Sequence, residues 1–313
     1  MGDIVIIGGG LTGLSAAWEL ERLGVPYRMI ELKPWLGGRI RTTRKAGFVL
    51  DAAHLLLEKQ GDWPFLRELG LEDALITIGR SDRGEYVLFR DGTQTVVDVL
   101  AAQITQPVMR RMAVSSVGYL EGRRFGVCLE NGLLLETRGL IVTVPARHAG
   151  HLLRSLQPEA AYRLFDYRYD SVARVSLGYR KEDVGSLPEN PPDDYPITFW
   201  QCIDHPARVP AGHVLIRAGV RLAVEDEVAP ELPLQLAAAM RWPLNPVVEQ
   251  VDYWPEADPL TPRQSGHAEN MAVIDRLLPP QVALVGSDYA AMDFADRVVQ
   301  GRAAARRVVA ALG

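Results

Sequence analysis

The chain has 313 residues, 48% hydrophobic and 23% charged, with a net charge of −5 at pH 7. This is the make-up of a soluble globular protein with room for one large or two intertwined domains, and the negative balance argues against a nucleic-acid role driven by phosphate neutralisation. Cys128 and Cys202 form no C-x-x-C, so no disulfide framework and no metal site are expected. A strand starting at residue 3 leaves no room for a signal peptide, and no apolar stretch approaches the ~20 residues that cross a bilayer. The expected address is cytoplasmic.

Residues 3–7 are a short apolar run that predicts a buried parallel strand. Gly8-Gly9-Gly10-Leu11-Thr12-Gly13 follows at once and fits G-x-G-x-x-G, and residues 14–23 read as a helix with Leu14, Ala17, Trp18 and Leu20 apolar. Residues 27–31 form a second short strand ending in an acid, Glu31. Strand, glycine turn, helix, strand and carboxylate at this spacing predict a dinucleotide site. Gly8 turns the chain off the strand, Gly10 admits a pyrophosphate, and Gly13 allows close helix–strand packing. The helix start at Leu11 and Thr12 presents N–H groups and the positive end of a dipole to phosphate. Glu31, followed by Leu32, is placed for an adenosine ribose.

Leu36-Gly37-Gly38-Arg39-Ile40-Arg41-Thr42 comes next. Residues 47–51 predict a strand entering a turn, and 63–69 a helix stopped by Gly70. Residues 86–89, 90–93 and 96–104 predict a strand, a turn and a helix. Residues 108–117, 125–130 and 133–137 alternate as three antiparallel strands, with turns at Gly122 and Asn131-Gly132. Residues 139–145 read as a buried strand ending at Pro145. Residues 162–165 are expected to be helical, 173–179 a sheet strand, 188–196 a proline- and acid-rich loop, 214–220 a strand, 232–240 a helix, and 248–254 a strand running into Pro255. The chain ends with a short buried strand (281–286), a polar turn (287–294) and a long helix (294–312) with Val298, Ala305, Val308 and Val309 on its apolar side.

Residues 3–42 closely resemble the amino terminus of the flavin-containing amine oxidase and protoporphyrinogen oxidase superfamily, which includes renalase-like members. The resemblance implies an α/β fold, with a Rossmann-like (GR2-type) FAD-binding domain formed by residues 1–58, 92–150 and 267–313. A discontinuous substrate domain on an antiparallel sheet takes residues 59–91 and 151–266. It implies that Glu31 binds the adenosine ribose of FAD and that Gly37, Gly38 and Arg39 lie along the pyrophosphate and flavin edge. Val114 stands where a family backbone segment meets the adenine. Gly286 and Asp288 would meet the ribityl–phosphate portion, and the N–H groups around Asp293 and Phe294 the flavin pyrimidine oxygen. Residue 51 sits in a "G-F-x-x-D-x-G" segment, with Ala52 and Ala53 where a glycine is usual, and Ala291 and Asp293 also replace family glycines. Asp293 as a helix cap is the preferred reading there.

The implied function is that of an FAD-dependent oxidoreductase. FAD is held noncovalently, since neither cysteine lies in the carboxy-terminal flavin segment. Hydride passes from an amine or dihydro-ring substrate to flavin N5, and oxygen or another acceptor takes the electrons. Oxidation of reduced nicotinamide isomers and flavin binding without turnover are the alternatives. Only about forty residues separate Asp51 from Asp91-Gly92, so the long helical insertion usual in the oxidases is missing. Lys181, the only lysine of the second half, resembles the family lysine near N5, but Arg180-Lys181-Glu182-Asp183 also reads as a solvent-facing charge cluster, which is preferred. His267, in a loop resembling "Y-W-P…P…G-H", is a candidate for substrate binding or proton transfer, or has a structural role. Tyr289 is expected near the ring. Trp200, Trp254 and His54 are further candidates. The expected partner is a small-molecule substrate, with substrate and oligomeric state left open.

Overall fold

The computed structural model describes residues 3–53, 55–185, 195–223, 228–290 and 293–313. His54, Ala291 and most of the proline-rich segment expected at 188–196 lie outside the described residues. The chain divides into two compact units: residues 1–39, 96–168 and 259–313 form the first, and 40–95 and 169–258 the second. Residues 40–58 and 92–95, assigned from the sequence to the nucleotide-binding domain, thus fall in the second unit, and 151–168 and 259–266, assigned to the substrate domain, in the first.

The first unit is built on a five-stranded parallel sheet in the order Val282–Leu284, Gly139–Val142, Ile4–Ile7, Tyr27–Glu31, Val108–Arg110. Ile4 pairs with Gly139 on one side and Tyr27 on the other. The central strands are fully buried, which is why they read as unbroken apolar runs: a parallel sheet covered on both faces has no solvent side. Helix Leu11–Leu23 ends at Gly24 in the left-handed conformation and packs on the last helix, Phe294–Ala311. That approach is close enough that a Cβ on Gly301 would overlap the Thr12 carbonyl oxygen. Val298, Ala305 and Val308 are buried as expected, whereas Val309 is half-exposed.

The expected strand 108–117 is two strands. Val108–Arg110 joins the parallel sheet beside residues 29–31, and Arg111 at φ 55 breaks the chain. The antiparallel meander begins only at Val114 (Val114–Leu120, Arg124–Leu129, Leu134–Thr137). Its second turn is the expected one: the Gly132 N–H donates to the Leu129 carbonyl at 3.0 Å. Helices Ala146–Leu153, Pro158–Phe165 and His267–Leu277 lie in the same unit, as does most of helix Gln94–Ala102, the helix expected at 96–104.

The second unit carries a four-stranded antiparallel sheet ordered Ile197–Ile203, His213–Leu222, Tyr169–Arg180, Val248–Pro259. The strand expected to stop before Pro255 therefore continues to Pro259. A three-stranded sheet (Leu57–Lys59, Glu85–Phe89, Leu75–Arg80) and a hairpin (Thr42–Lys45, Phe48–Asp51) lie in the same unit. One face of the large sheet presents Ala173, Val175, Leu177, Ile216 and Ala218 to helix Leu232–Ala239, forming an apolar core.

Asp51 is a structural hub of this unit. It and Arg208 are both fully buried and paired at 2.7 Å. Asp51 also accepts from the Thr93 N–H and hydroxyl and from the Thr42 hydroxyl. Every nitrogen of the Arg208 guanidinium is used: Nε and Nη2 reach the Val49 carbonyl, Nη1 the Phe89 carbonyl, and Nη2 the carboxylate.

Candidate functional site

The glycine loop of the first unit forms a cradle made of backbone. Strand Ile4–Ile7 ends at Gly8, and a Cβ on Gly13 would overlap the Gly8 carbonyl oxygen, so the helix start is drawn tightly onto the strand end. A Cβ on Gly10, by contrast, would meet no protein atom within 4 Å. Gly10 is also the residue that precedes the helix, and no side chain caps it. The first N–H groups of the helix, at Leu11, Thr12 and Gly13, have no acceptor in their own helix and stand beside that open space. Backbone donors, a positive helix end and room for a ligand are what a pyrophosphate requires.

The second glycine pair completes the cradle. The Gly37 N–H donates to the Gly9 carbonyl at 2.7 Å, Gly37 bridges Gly10 in parallel register, and a Cβ on Gly38 would come within 3.5 Å of the Gly10 Cα. Gly37 and Gly38 both have positive φ, at 96° and 60°, which permits this stacking. Arg39 follows, half-buried. Glu31 is buried; its Oε2 accepts from the Gly9 N–H at 2.6 Å and Oε1 from the Lys33 N–H at 2.7 Å. Each oxygen keeps a second lone pair for a ribose hydroxyl. Leu32 is 57% exposed, so it caps no core. Val114 is half-buried at the start of the meander, paired with Leu129. Thr143, which the sequence reading passed over, fastens the loop: its Oγ lies 3.1 and 3.0 Å from the Ile7 and Gly8 carbonyl oxygens.

The carboxy-terminal turn belongs to the same unit. Gly286 follows the last strand at φ 140. The Asp288 carboxylate is buried; it accepts from the Ala146 N–H and the Ser287 hydroxyl, both at 3.0 Å. Asp293 occupies the cap position of helix Phe294–Ala311, but its side chain makes no capping hydrogen bond. The expected cap is therefore positional only, and the helix's first N–H groups are left to other acceptors. Phe294 is buried behind it.

Two of the three catalytic candidates meet here. His267 is not in a loop: it opens helix His267–Leu277, after Gly266 in the left-handed conformation. Its Nε2 lies 2.6 Å from the Tyr289 carbonyl. A carbonyl only accepts, so Nε2 carries the proton; Nδ1 then faces the Tyr167 hydroxyl at 3.4 Å. The buried Tyr289 donates its hydroxyl to the Val144 carbonyl at 2.7 Å. Burial, with the negative Asp288 nearby, pushes the Tyr167 phenol well above its usual value. Histidine and both tyrosines thus brace the last strand and its turn. Lys181 is not among them. It begins the short helix Lys181–Val184 of the second unit, half in solvent, 3.1 Å from Asp204. Trp200 lies against the unit's core, 6.4 Å from Trp242, and the Trp254 ring lies 5.7 Å from the Arg174 guanidinium. Among the described residues no group of His, Cys, Asp and Glu is arranged to hold a metal, and no helix is long and apolar enough to cross a membrane.

The comparisons with known proteins agree with this cradle. The sequence model of an NAD(P)-binding Rossmann-like domain matches residues 6–69, and that of the flavin containing amine oxidoreductases matches residues 55–308. The coproporphyrinogen III oxidase of Bacillus subtilis is 37% identical over 81 residues, covering 23% of this chain and 17% of that protein. The match therefore spans less than a fifth of that relative's length. Two solved structures share the fold over nearly all of both chains at 16% identity. One, described provisionally as a protoporphyrinogen oxidase from Exiguobacterium sp. 255-15, has a TM-score of 0.83 and covers 97% of this chain and 98% of its own. The other, a putrescine oxidase bound to putrescine, has a TM-score of 0.73 and covers 99% of each. With 55–308 matched as one family and the nucleotide cradle preceding it, the chain belongs to the flavin containing amine oxidoreductase family, whose cofactor is FAD.

Proposed function

We propose that this protein is an FAD-dependent oxidoreductase that removes a hydride from a C–N or C–C bond of a small molecule. The observation that carries the reading is the open space at Gly10, framed by the helix start, by Gly37 and Gly38 stacked on the loop, and by Glu31 at the strand end. These residues fit the ADP half of FAD: Leu11, Thr12 and Gly13 would offer N–H groups to the pyrophosphate, and Glu31 would accept from the ribose. The amino end of helix Phe294–Ala311 would favour negative charge on the reduced ring. FAD, when bound, supplies the hydride acceptor. The substrate C–H bond breaks with its electron pair leaving as hydride, a further proton goes to solvent, and an imine or C=C bond remains. Oxygen or another acceptor then removes the two electrons. Neither Cys128 nor Cys202 lies in the carboxy-terminal turn, which is consistent with noncovalent binding.

The test is spectroscopic. The purified protein should show twin flavin absorption bands, release FAD on heating, and bleach anaerobically with a porphyrinogen or an amine. A colourless protein that cannot be reconstituted with FAD would overturn the reading. A yellow protein that no porphyrinogen, amine or reduced nicotinamide bleaches would leave flavin binding without turnover.

A further inference from the structure

The polar face of the four-stranded sheet contains a buried guanidinium that the fold does not satisfy. Cross-strand register puts Ser176 opposite Arg217 and Arg174 opposite Gly219. It also puts Gln201 opposite Arg217 and Phe199 opposite Gly219. Directly paired residues share a face, so Arg174, Arg217, Phe199 and Gln201 stand together on the side away from helix Leu232–Ala239. Arg217 is 2% exposed. Its Nη2 donates to the Ala52 and Ala53 carbonyls, both at 2.7 Å, but its Nε is buried with no hydrogen-bond partner. The opposing Gln201 has its amide oxygen buried in the same state.

Arg208, in the same unit, shows what a purely structural buried arginine looks like here: every nitrogen is bonded and a carboxylate neutralises it. Arg217 has no carboxylate within salt-bridge distance among the described residues. Its neighbours are the Phe199 ring at 5.7 Å and the Arg174 guanidinium, itself 3.0 Å from Asp258 and 5.7 Å from the Trp254 ring. Burial and then repulsion by Arg174 pull Arg217 down to about 9. Asp252 also faces this group, together with Arg41, but burial pushes its carboxyl up, toward the neutral form. With Asp258 already paired to Arg174, the face is short of negative charge, and Phe199, Gln201, Trp254, Asp252 and Asp258 stand half-buried around the guanidiniums.

We propose that the Arg217–Arg174 face binds the carboxylate of a ring-bearing organic acid. A carboxylate meets a guanidinium edge through two parallel hydrogen bonds, using Nε as one donor. The Phe199 and Trp254 rings supply an apolar bed for the rest of the molecule. The two rings favour a ring-bearing acid over inorganic phosphate, which has no apolar part to lay on them, and the arginines disfavour a cationic amine. That this acid is the redox substrate rests on the flavoenzyme reading above; the binding itself does not. Within the family's chemistry it favours an acid-bearing dihydro-ring over a simple amine.

Titration calorimetry of the full chain, with flavin content read from its absorption spectrum, tests the proposal. Benzoate is the probe, and benzylamine and inorganic phosphate are the controls. Saturable benzoate binding, weaker or absent for both controls, is expected. Arg217→Met and Arg174→Gln should each weaken it by about tenfold or more, the scale of a lost charge-assisted pair. If Arg217→Met fails to fold, Arg217→Lys, which keeps the charge but loses the fork, takes its place with the same expectation. Absence of saturable benzoate binding by flavin-loaded protein, or binding unchanged across these variants, overturns the acid site and leaves the flavoenzyme reading standing. Binding by a protein that cannot take up flavin does the reverse.

Discussion

The nucleotide cradle and the polar sheet face are built from opposite materials. The cradle is backbone: glycines stacked on glycines, N–H groups at a helix start, and one carboxylate, Glu31, holding the Gly9 N–H. The sheet face is side chain: two arginines, a glutamine and two aromatic rings gathered from separate strands. A backbone site fails when a side chain is added to it, whereas a side-chain site fails when one is removed.

The largest effect tests the side-chain half. Asp51→Ala removes the only carboxylate bonded to the fully buried Arg208 among the described residues. Breaking a buried pair from one side costs about 3–5 kcal/mol, so urea melts should lose stability on that scale. A loss under about 1 kcal/mol would mean that Arg208 finds compensation from the Val49 and Phe89 carbonyls alone. The backbone half is tested by Gly10→Val. The new Cβ meets no protein atom, so the fold should persist while FAD affinity falls by about a hundredfold or more, on the order of 3 kcal/mol. A variant that purifies with full flavin would show the pyrophosphate to lie elsewhere.

This contrast also explains what the sequence disclosed. G-x-G-x-x-G, the acid of residue 31 and the second glycine pair name local backbone shapes, and local shapes survive in a linear reading. Alternation across residues 173–179 and 214–220 marked the strands but not their register, and register alone brings Arg174 and Arg217 together. The run 108–117 alternates evenly, so nothing in it announced that Arg111 would turn it from one sheet to another. His267 read as a loop residue because Gly266 precedes it and the following helix buries only Ile274, leaving no clear apolar stripe. Thr143 and Arg208 act on partners more than a hundred residues away, which no spacing rule reaches.

Each unit also holds a carboxylate that its surroundings shift, Glu19 downward and Asp252 upward. Burial alone would raise Glu19, but hydrogen bonds from Arg306 and Arg302, at 2.7 and 2.6 Å, outweigh it and hold the carboxyl below its usual range. Its contribution is in place above about pH 4, the ordinary carboxylate value, and is lost as the pH falls through the lower folded value. Asp252 is raised, chiefly by burial, so its contribution is in place below about pH 4 and lost as the pH rises through the folded value. Thermal melts across the acid range should therefore show the advantage of wild type over Glu19→Gln shrinking on acidification. Its advantage over Asp252→Asn should shrink toward neutrality. Each tenfold difference in proton affinity between folded and unfolded chain is worth about 1.4 kcal/mol. Stability that runs parallel to wild type across this pH range, in either variant, would overturn that assignment.

The smallest effect is expected at Lys181, where the charge-cluster reading and the family lysine near flavin N5 make different demands. Its ammonium is paired with Asp204 at 3.1 Å, and the two side chains are 51% and 68% exposed. Such a pair contributes about 0–1 kcal/mol, so Lys181→Met should leave the melting temperature almost unmoved. The rate at which oxygen reoxidises the photoreduced protein is the sharper measurement, because a lysine poised at N5 acts on that step and a solvated one does not. An unchanged rate is expected from a side chain that already spends its charge on Asp204 in water. A fall of about tenfold or more, with stability intact, would mean that Lys181 leaves Asp204 in the working protein and serves the flavin.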